Sequence, residues 1–344
     1  MKSIIEKTLE KLPILFFTFI SLIFLTPIIL ILTSLFQGYS DSWQHLFQTV
    51  LAEYLNNTTI LVAGVSIGVF VLGVSSAWIV TTCDFKGKKN FKWALILPLA
   101  IPPYIMAYAF TGLFDSGGTM NNVVNSIFNI DENYNFFPSV RNLGGAITIF
   151  SFTLYPYVYL IAQTAFTNQS RDVFDIARTL GLSKKSTFYK LALPLARPSI
   201  IAGLMIVAME TISDFGAVEH FAIPTFTSGI FRTWFGMNDI VTAKQLAAVL
   251  FIFFLSFLLI EKYSRKKIQF NLSLTTNREL VPIKLYGLKS LLATIFCSIP
   301  ILIGFLIPIT QLLYWTISFN LEYFDLNFVY SAINTISLAL ISGI

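Results

Sequence analysis

Apolar residues occur in long runs along this chain, and charged residues mark where the runs end. Uncharged windows lie at 12–40, 54–83, 93–114, 142–170, 245–260 and 290–321. A further run at 198–231 is interrupted only by Glu210, Asp214 and Glu219. A helix that crosses a bilayer needs about 20 mostly apolar residues. The pattern therefore predicts seven transmembrane helices and an eighth that begins after Asp325.

The composition supports an integral membrane protein. Of the 344 residues, 55% are hydrophobic and 12% are charged, and the mean hydropathy is +0.73. Soluble domains carry about 25% charged residues. The first apolar run, at about 13–36, lacks a small-residue cleavage site, so we expect an uncleaved first span. The predicted fold class is all-α, a polytopic bundle of about seven or eight transmembrane helices.

The basic residues predict how this bundle is oriented. With a cytoplasmic N-terminus, 20 of the 23 Lys and Arg residues fall in segments on the inner side. The remaining three are Arg141, Arg232 and Lys244. The formal net charge of +5 therefore reflects topology. We expect no nucleic-acid partner, because no basic cluster is interleaved with exposed aromatic residues in a soluble segment.

Proline interrupts the third predicted span. Pro98, Pro102 and Pro103 lie within 93–114, and a proline removes one backbone donor from a helix. We expect a kinked or broken helix whose freed carbonyls are satisfied by neighbouring helices. Such a break can line a transport pathway or serve packing, and the sequence leaves both open.

The sequence predicts no catalytic or metal centre. Cys83 and Cys297 sit beside or within different spans and are interpreted as packing residues without a disulfide. His45 and His220 are too few and too far apart to indicate a metal site. The chain also lacks the G-x-x-x-x-G-K-S/T loop that cradles nucleotide phosphates. We therefore expect neither ATP hydrolysis nor a cofactor in this chain.

A polar loop at 170–198, between the fourth and fifth predicted spans, carries two amphipathic helix patterns. Ser170 is placed to cap the first, whose apolar face is formed by Val173, Ile176, Ala177 and Leu180. Gly181 is expected to end that helix. Ser183 opens the second pattern, which contains Phe188, Leu191 and Leu195. Pro194 and Pro198 are expected to close it before the next span.

This loop resembles the "EAA" loop of ABC importer permeases, which runs Glu-Ala-Ala, three residues, Gly, and later an apolar residue with Leu and Pro. The matching positions are Asp175, Ile176, Ala177, Gly181, Leu193 and Pro194. Asp175 replaces the usual Glu, and Ile176 replaces the first Ala. The resemblance implies a cytoplasmic loop that docks into a cleft of a separate ATPase subunit, present as a dimer.

Two further stretches narrow the resemblance. Residues 209–216 and 225–236 are similar to the corresponding part of ferric-iron importer permeases, which carry two permease halves in one chain. The resemblance implies ferric iron as the substrate and an extracytoplasmic ferric-binding protein as a partner. It also implies a place in the bacterial cytoplasmic (inner) membrane. Thiamine permeases share the fused architecture, so another small solute is the alternative.

The pattern of the first spans starts again after residue 289. Pro308 lies in its apolar run as Pro27 does in the first, and Asn334-Thr335 echoes Asn57-Thr58. We therefore expect a first permease half at 1–263, a basic cytoplasmic linker at 264–289 and the start of a second half at 290–344. We also expect that the chain is truncated from a protein of about 12 spans.

Two carboxylates in the fifth predicted span form the candidate transport site. Glu210 and Asp214 are four residues apart, which would place them on one helical face. Counted from Ser199, Glu210 lies near the middle of the bilayer, where a charge is costly unless it is paired, protonated or wetted. We expect both acids to face the translocation pathway.

Two alternatives to this pathway remain open. In the first, the helix ends early and both acids lie at the outer interface or bond neighbouring helices. In the second, the protein is a proton-coupled secondary transporter in which Glu210 and Asp214 carry protons. The loop at 170–198 disfavours the second alternative, because a secondary transporter has no need of a docking helix.

Overall fold

The structure is a computed structural model that describes residues 2–129, 134–169, 177, 179, 181–265, 282–318 and 326–343. Helices make up most of this part of the chain, which confirms the predicted all-α class. In chain order they are α1 Lys2–Thr33, α2 Asp41–Thr49, α3 Leu51–Thr82, α4 Lys88–Ala94, α5 Pro103–Phe114, α6 Thr119–Phe128, α7 Leu143–Thr167, α8 Lys184–Thr187, α9 Leu193–Ser213, α10 Gly216–His220, α11 Phe226–Phe231, α12 Ile240–Arg265, α13 Leu288–Ile301, α14 Ile307–Ser318 and α15 Leu326–Gly343.

Short irregular elements join several of these helices. Tight 3-10 turns lie at Ser34–Phe36 and Leu97–Ala100. Wider π turns lie at Phe188–Ala192, Arg232–Gly236 and Leu302–Leu306. Two short strands, β1 Cys83–Asp84 and β2 Ile283–Lys284, pair in parallel.

The membrane spans agree closely with the predicted windows. Six helices in the described residues are long and apolar enough to cross a membrane, and one bent pair makes a seventh span. The six are Phe16–Phe36, Leu51–Thr82, Leu143–Thr167, Phe188–Ser213, Leu288–Ser318 and Leu326–Gly343. The sixth predicted span corresponds to a shorter apolar stretch, Ile240–Ser256, in α12.

The core lies where α3 and α7 pack along their lengths, with α9 against both. Val65, Val69 and Phe150 are completely buried in this core. At Gly73 the helices approach so closely that a Cβ atom would lie 3.0 Å from the Tyr155 carbonyl oxygen. Without a hydrophobic driving force between helices in lipid, such close contact through small residues stabilises the bundle.

The third span is broken, as the prolines predict. The segments Lys88–Ala100 and Pro103–Phe128 meet at an angle of 87°. The Tyr155 hydroxyl donates to the Leu95 carbonyl oxygen at 2.8 Å, and the Tyr159 hydroxyl donates to the Lys92 carbonyl oxygen at 2.9 Å. The two tyrosines are buried in α7. They therefore supply donors to carbonyls beside the break, as membrane burial requires.

The prediction that Pro194 and Pro198 close the loop before the next span is wrong. The chain is helical without interruption from Lys184 through the π turn to Ser213. Pro194 closely follows the π turn and Pro198 lies within α9, so both prolines fall inside this continuous helix. At the π turn the hydrogen bonds span five residues in place of four, since the Leu193 N–H donates to the Phe188 carbonyl oxygen. The fifth span therefore begins at Phe188 rather than at residue 198.

The segment predicted to begin a second half packs on the first half. The Leu285 N–H donates to the Asp84 carbonyl oxygen at 2.9 Å, next to the β1–β2 pair. The Lys86 N–H donates to the Ser290 hydroxyl at 3.4 Å, and α13 and α14 contact α3, α4 and α5. Most of the predicted linker at 264–289 lies outside the described residues.

Candidate functional site

The first helix of the loop at 170–198 ends at the expected glycine. Gly181 has φ +71°, a left-handed conformation that side chains disfavour. The Leu182 N–H donates to the Ala177 carbonyl oxygen at 2.9 Å, the bond that closes a glycine-ended helix. The predicted stop at Gly181 is confirmed. Ser170, Asp175 and Ile176 lie outside the described residues.

The second helix of the loop begins at Ser183, as predicted. The Ser183 hydroxyl accepts a hydrogen bond from the Ser186 N–H at 3.2 Å, which caps the helix. The Thr187 hydroxyl donates to the Ser183 carbonyl oxygen at 3.0 Å. The chain therefore turns sharply between Gly181 and Ser183, and the second helix runs on into the fifth span.

The predicted docking residues differ in exposure. Ala177 is completely buried, whereas Gly181 is exposed with no atom within 4 Å of its hypothetical Cβ. Leu193 is half-buried, and Pro194 is exposed. Gly181 and Pro194 are thus open to a partner, while Ala177 packs inside the chain.

The two ends of the loop are joined at a cluster that we call the loop base, formed by Trp78, Phe166, Gln169, Phe188 and Ala192. The Trp78 ring lies 5.3 Å from Phe166 and 4.8 Å from Phe188, measured between ring centres. The Gln169 side-chain amide donates to the Ala192 carbonyl oxygen at 2.8 Å. These contacts tie α3, α7 and the π turn together.

Sequence reasoning missed most of the loop base. The sequence predicts Phe188 on the apolar face of the second loop helix, but it predicts no role for Trp78, Phe166 or Gln169. A weak signal was present, because Gln169 is a polar residue at the very end of an uncharged window. Its partner lies 23 residues away in the sequence, so only the folded chain reveals the pair.

Glu210 and Asp214 lie at the end of helix α9, and their place on the translocation pathway stays a prediction. Helix α9 ends at Ser213, and Asp214 leaves it in an extended conformation. The Asp214 carboxylate accepts a hydrogen bond from the Ala217 N–H at 2.7 Å, because the chain turns there into α10. Glu210 remains in the last turn of α9 with an exposed side chain. This arrangement matches the alternative in which the helix ends early.

Burial raises the pKa of the Asp214 carboxyl group. Hydrogen bonds from the Ala217 and Val218 N–H groups oppose that rise, and the neighbouring Glu210 charge adds to it. The carboxylate thus pays a desolvation cost that its capping bonds partly offset. Asp214 is therefore placed to hold the start of α10.

A second group of polar residues, which we call the polar cluster, lies at the other end of α7 from the loop base. It consists of Thr111, Asp115, Arg141 and His220. Arg141 Nε donates to Asp115 Oδ2 at 2.5 Å, and Arg141 Nη1 donates to the His220 carbonyl oxygen at 2.9 Å. His220 Nε2 lies 2.8 Å from the Thr111 hydroxyl. Burial and the nearby Arg141 charge lower the pKa of His220, and Asp115 opposes them.

A cavity of about 820 Å³ opens beside the polar cluster. Its walls combine hydroxyl, amide and aromatic groups from α5, α6 and α14, including Tyr108, Thr111, Asn122, Ser126, Tyr314 and Trp315. Trp315 packs so closely on Gly112 that any side chain there would collide with it. The first segment of the predicted second half therefore forms part of this cavity.

Further contacts at the same end of the bundle hold the connection between α9 and α12. Asn57 Nδ2 donates to the Pro224 carbonyl oxygen at 3.0 Å, and the Phe226 N–H donates to the Thr58 hydroxyl at 3.1 Å. At the start of α12, burial alone would raise the pKa of Asp239, but hydrogen bonds from Thr242, Ser40 and Ser42 outweigh it and lower the pKa to about 2. This end of the bundle is rich in polar contacts.

In the part of the chain that the structure describes, no group of three or more His, Cys, Asp or Glu side chains could hold a metal ion. Cys83 and Cys297 are free thiols. The described residues thus form a helical bundle with the loop base at one end and the polar cluster and cavity at the other.

Residues 70–266 match a protein family described as Binding-protein-dependent transport system inner membrane component. The match includes the loop base, the polar cluster and the whole loop at 170–198. It excludes α1, α2 and the segment predicted to begin a second half.

Several curated proteins are similar to the chain. The Fe(3+)-transport system permease protein FbpB 2 of Haemophilus influenzae is 28% identical over 283 residues, which cover 81% of this chain and 51% of that protein. The chain thus spans about half the length of this relative. The sulfate transport system permease protein CysT of Escherichia coli is 28% identical over 59% of this chain. The molybdenum transport system permease protein ModB of Escherichia coli is 26% identical over 43% of it.

A solved structure shares the fold. A chain of a bacterial ABC transporter involved in the import of the acidic polysaccharide alginate superposes with a TM-score of 0.61 at 19% identity. The match covers 78% of this chain and 98% of that chain.

Proposed function

Because the chain belongs to the family of binding-protein-dependent transport system inner membrane components, we propose that it is the permease subunit of an ABC importer in the bacterial cytoplasmic membrane. Its partners are an extracytoplasmic substrate-binding protein and a dimer of ATPase subunits. ATP is bound and hydrolysed on that dimer, so this subunit is not itself an enzyme. The N-terminus lies in the cytoplasm, as the excess of Lys and Arg in the inner segments supports.

The observation that carries the proposal is the structure of the described part of the loop, residues 177, 179 and 181–198. A helix that ends on Gly181 is followed directly by a helix capped by Ser183, and the second continues into a membrane span. A partner that pushes on the loop therefore acts directly on α9. The docking contact is formed by Asp175, Ile176, Ala177, Gly181, Leu193 and Pro194, of which Gly181 and Pro194 are exposed.

Ferric iron is the substrate that we propose. The iron permease relative covers 81% of this chain, whereas the sulfate and molybdenum permeases cover 59% and 43%. Identity does not separate iron from sulfate, since both relatives are 28% identical. Sulfate and molybdate are therefore the rival substrates, ahead of thiamine.

The proton-coupled transporter is disfavoured by the family match. In addition, Asp214 accepts a hydrogen bond from the Ala217 N–H and so has a structural role at the start of α10. Glu210 is the remaining candidate for a residue on the translocation pathway, because its exposed side chain lies in the last turn of the fifth span.

Uptake into proteoliposomes tests the proposal. The full-length protein, its ATPase and its binding protein are reconstituted, and ferric iron, sulfate and molybdate are supplied in separate assays. We expect ATP-dependent uptake of iron alone. Uptake of sulfate or molybdate in place of iron would overturn the substrate, and uptake that needs a proton gradient without ATP would overturn the importer class.

Gly181→Val tests the docking loop in the same assay. A β-branched residue is strongly disfavoured at φ +71°, so we expect import to fall at least 10-fold while the protein still inserts. Gly181→Asn is the matched control, because Asn tolerates the left-handed conformation. Normal stimulation of the ATPase by the Val variant would contradict the docking role.

A further inference from the structure

Gln169 occupies an unusual position at the entry to the loop. It follows the last turn of α7, where its N–H bonds the Phe166 carbonyl oxygen at 3.3 Å, and it is 9% exposed. Its side-chain amide donates to the Ala192 carbonyl oxygen at 2.8 Å. Since Ala192 is the last residue of the π turn, this one hydrogen bond closes the loop at its two ends.

The contact between Gln169 and Ala192 depends on a directional hydrogen bond as well as on packing. A buried side-chain amide that bonds a backbone carbonyl fixes both groups, because an unpaired donor would lose its solvation. Among the described residues, the side-chain amide oxygen of Gln169, Oε1, has no hydrogen-bond partner. An apolar side chain would avoid that cost, so packing alone does not account for a glutamine at this position.

Aromatic rings also hold the π turn against α3 and α7. The Phe188 ring lies 4.8 Å from Trp78 of α3 and 6.4 Å from Phe166 of α7. Phe188 begins the π turn that Ala192 ends. The rings therefore resist movement of the π turn across α3 and α7, while the Gln169 bond resists rotation and sliding along them.

On the basis of the proposed function, we propose that Gln169 is a positioning residue for energy coupling. It makes the loop at 170–198, the end of α7 and the start of the fifth span move as one body. A displacement of the docked loop is then transmitted to both helices at once. Without the bond, the loop can move with α9 while α7 stays in place.

The test measures solute transported per ATP hydrolysed. Gln169→Met keeps the length of the side chain and removes the donor. It is compared with Gln163→Met on the same helix, at a half-buried position that is not part of the loop base. Proteoliposomes contain the full-length permease, its ATPase and its binding protein, and are supplied with the solute among ferric iron, sulfate and molybdate that the wild type imports.

We expect proteoliposomes with Gln169→Met to show ATP hydrolysis by the ATPase within about twofold of the wild-type rate and at least fivefold less solute transported per ATP. Gln163→Met should keep the wild-type ratio. Gln169→Asn retains a donor on a shorter side chain and should give an intermediate ratio of solute transported per ATP. If Gln169→Met does not accumulate in the membrane, Gln169→Asn replaces it in the test.

An unchanged ratio in Gln169→Met would overturn the inference, and so would an equal fall in transport and hydrolysis, which indicates a structural role. Failure of the proposed function gives a different result. In that case the wild-type protein itself neither imports one of the three solutes with ATP nor stimulates the ATPase.

Discussion

The loop base and the polar cluster lie at opposite ends of α7 and are built from different interactions. The loop base is held by three packed aromatic rings and one buried hydrogen bond to the backbone. The polar cluster depends on an ion pair between side chains that are 46% exposed in Arg141 and 23% exposed in Asp115. One end is therefore mostly apolar and buried, and the other is polar and accessible.

This difference indicates which end can adapt. Exposed ion pairs contribute about 0.2–1 kcal/mol, because solvent screens them and long side chains lose entropy on pairing. Removing a large buried aromatic side chain costs about 3–5 kcal/mol. The loop base is thus suited to transmit movement without deforming, whereas contacts in the polar cluster and the cavity beside it can rearrange at low cost.

The largest expected effect is all-or-none and concerns the side of the membrane on which each end lies. Cysteines replace two exposed asparagines, Asn90 near the loop side and Asn135 near the polar cluster, in a Cys83→Ser background. An impermeant thiol reagent should label Asn90→Cys only from the cytoplasm and Asn135→Cys only from outside. The opposite labelling would reverse the proposed orientation of both regions.

The next largest effect is loss of an aromatic ring from the loop base. Phe166→Ala removes a completely buried ring, and we expect the free energy of unfolding in detergent to fall by about 3–5 kcal/mol. The control is Phe128→Ala at the far end of the bundle, where the ring is 67% exposed. Equal losses in the two variants would mean that the loop base is no better packed than an exposed surface.

A smaller effect separates the two carboxylates near the polar cluster. Asp214→Ala removes the side chain that accepts from the Ala217 N–H, and loss of such a cap costs about 0.5–2 kcal/mol. Glu210→Gln should leave the free energy of unfolding unchanged within about 0.5 kcal/mol. A lower import rate in Glu210→Gln at normal stability would support its place on the pathway. A destabilised Glu210→Gln together with a stable Asp214→Ala would contradict these assignments.

The smallest effect is the pH response of the polar cluster. The pKa of His220 is lowered in the folded protein, so the unfolded chain binds protons more readily as pH falls. The stability that neutral His220 provides is present above its unfolded pKa of about 6.5 and is lost as pH falls below it. Between pH 7.5 and 5.5, the Tm of wild type should therefore decrease more than that of His220→Gln.

The control for this pH measurement is His45→Gln, at an exposed position in α2. It contacts neither Arg141 nor Thr111, so its Tm should follow the wild-type curve. If His220→Gln and His45→Gln gave the same pH dependence, the polar cluster would not contribute to it.

Local features were predictable because their causes lie close together in the sequence. Gly181 ends its helix because a residue without a side chain adopts φ +71° at little cost. Pro98, Pro102 and Pro103 break the third span because proline lacks a backbone donor. The apolar windows predicted the spans because the bilayer requires about 20 apolar residues in a row.

The wrong predictions concern positions where contacts with neighbouring segments decide whether a helix continues. Pro194 and Pro198 were expected to end the loop, but a π turn and packing against α3 and α7 keep the chain helical through both. Helix α9 was expected to continue past Asp214, but it ends at Ser213 because Asp214 caps the following helix. Neither a proline nor a carboxylate specifies alone whether a helix continues.

The sequence by itself therefore determined the spans, the break in the third span, the glycine turn and the second helix of the loop, and the resemblance to ABC importer permeases, which family membership confirms. The tertiary structure decided which distant residues meet. The Tyr155 hydroxyl reaches Leu95, and the Gln169 amide reaches Ala192. Periodicity and turn chemistry describe a helix one segment at a time, whereas these contacts require the relative rotation and depth of several helices, which only their packing sets.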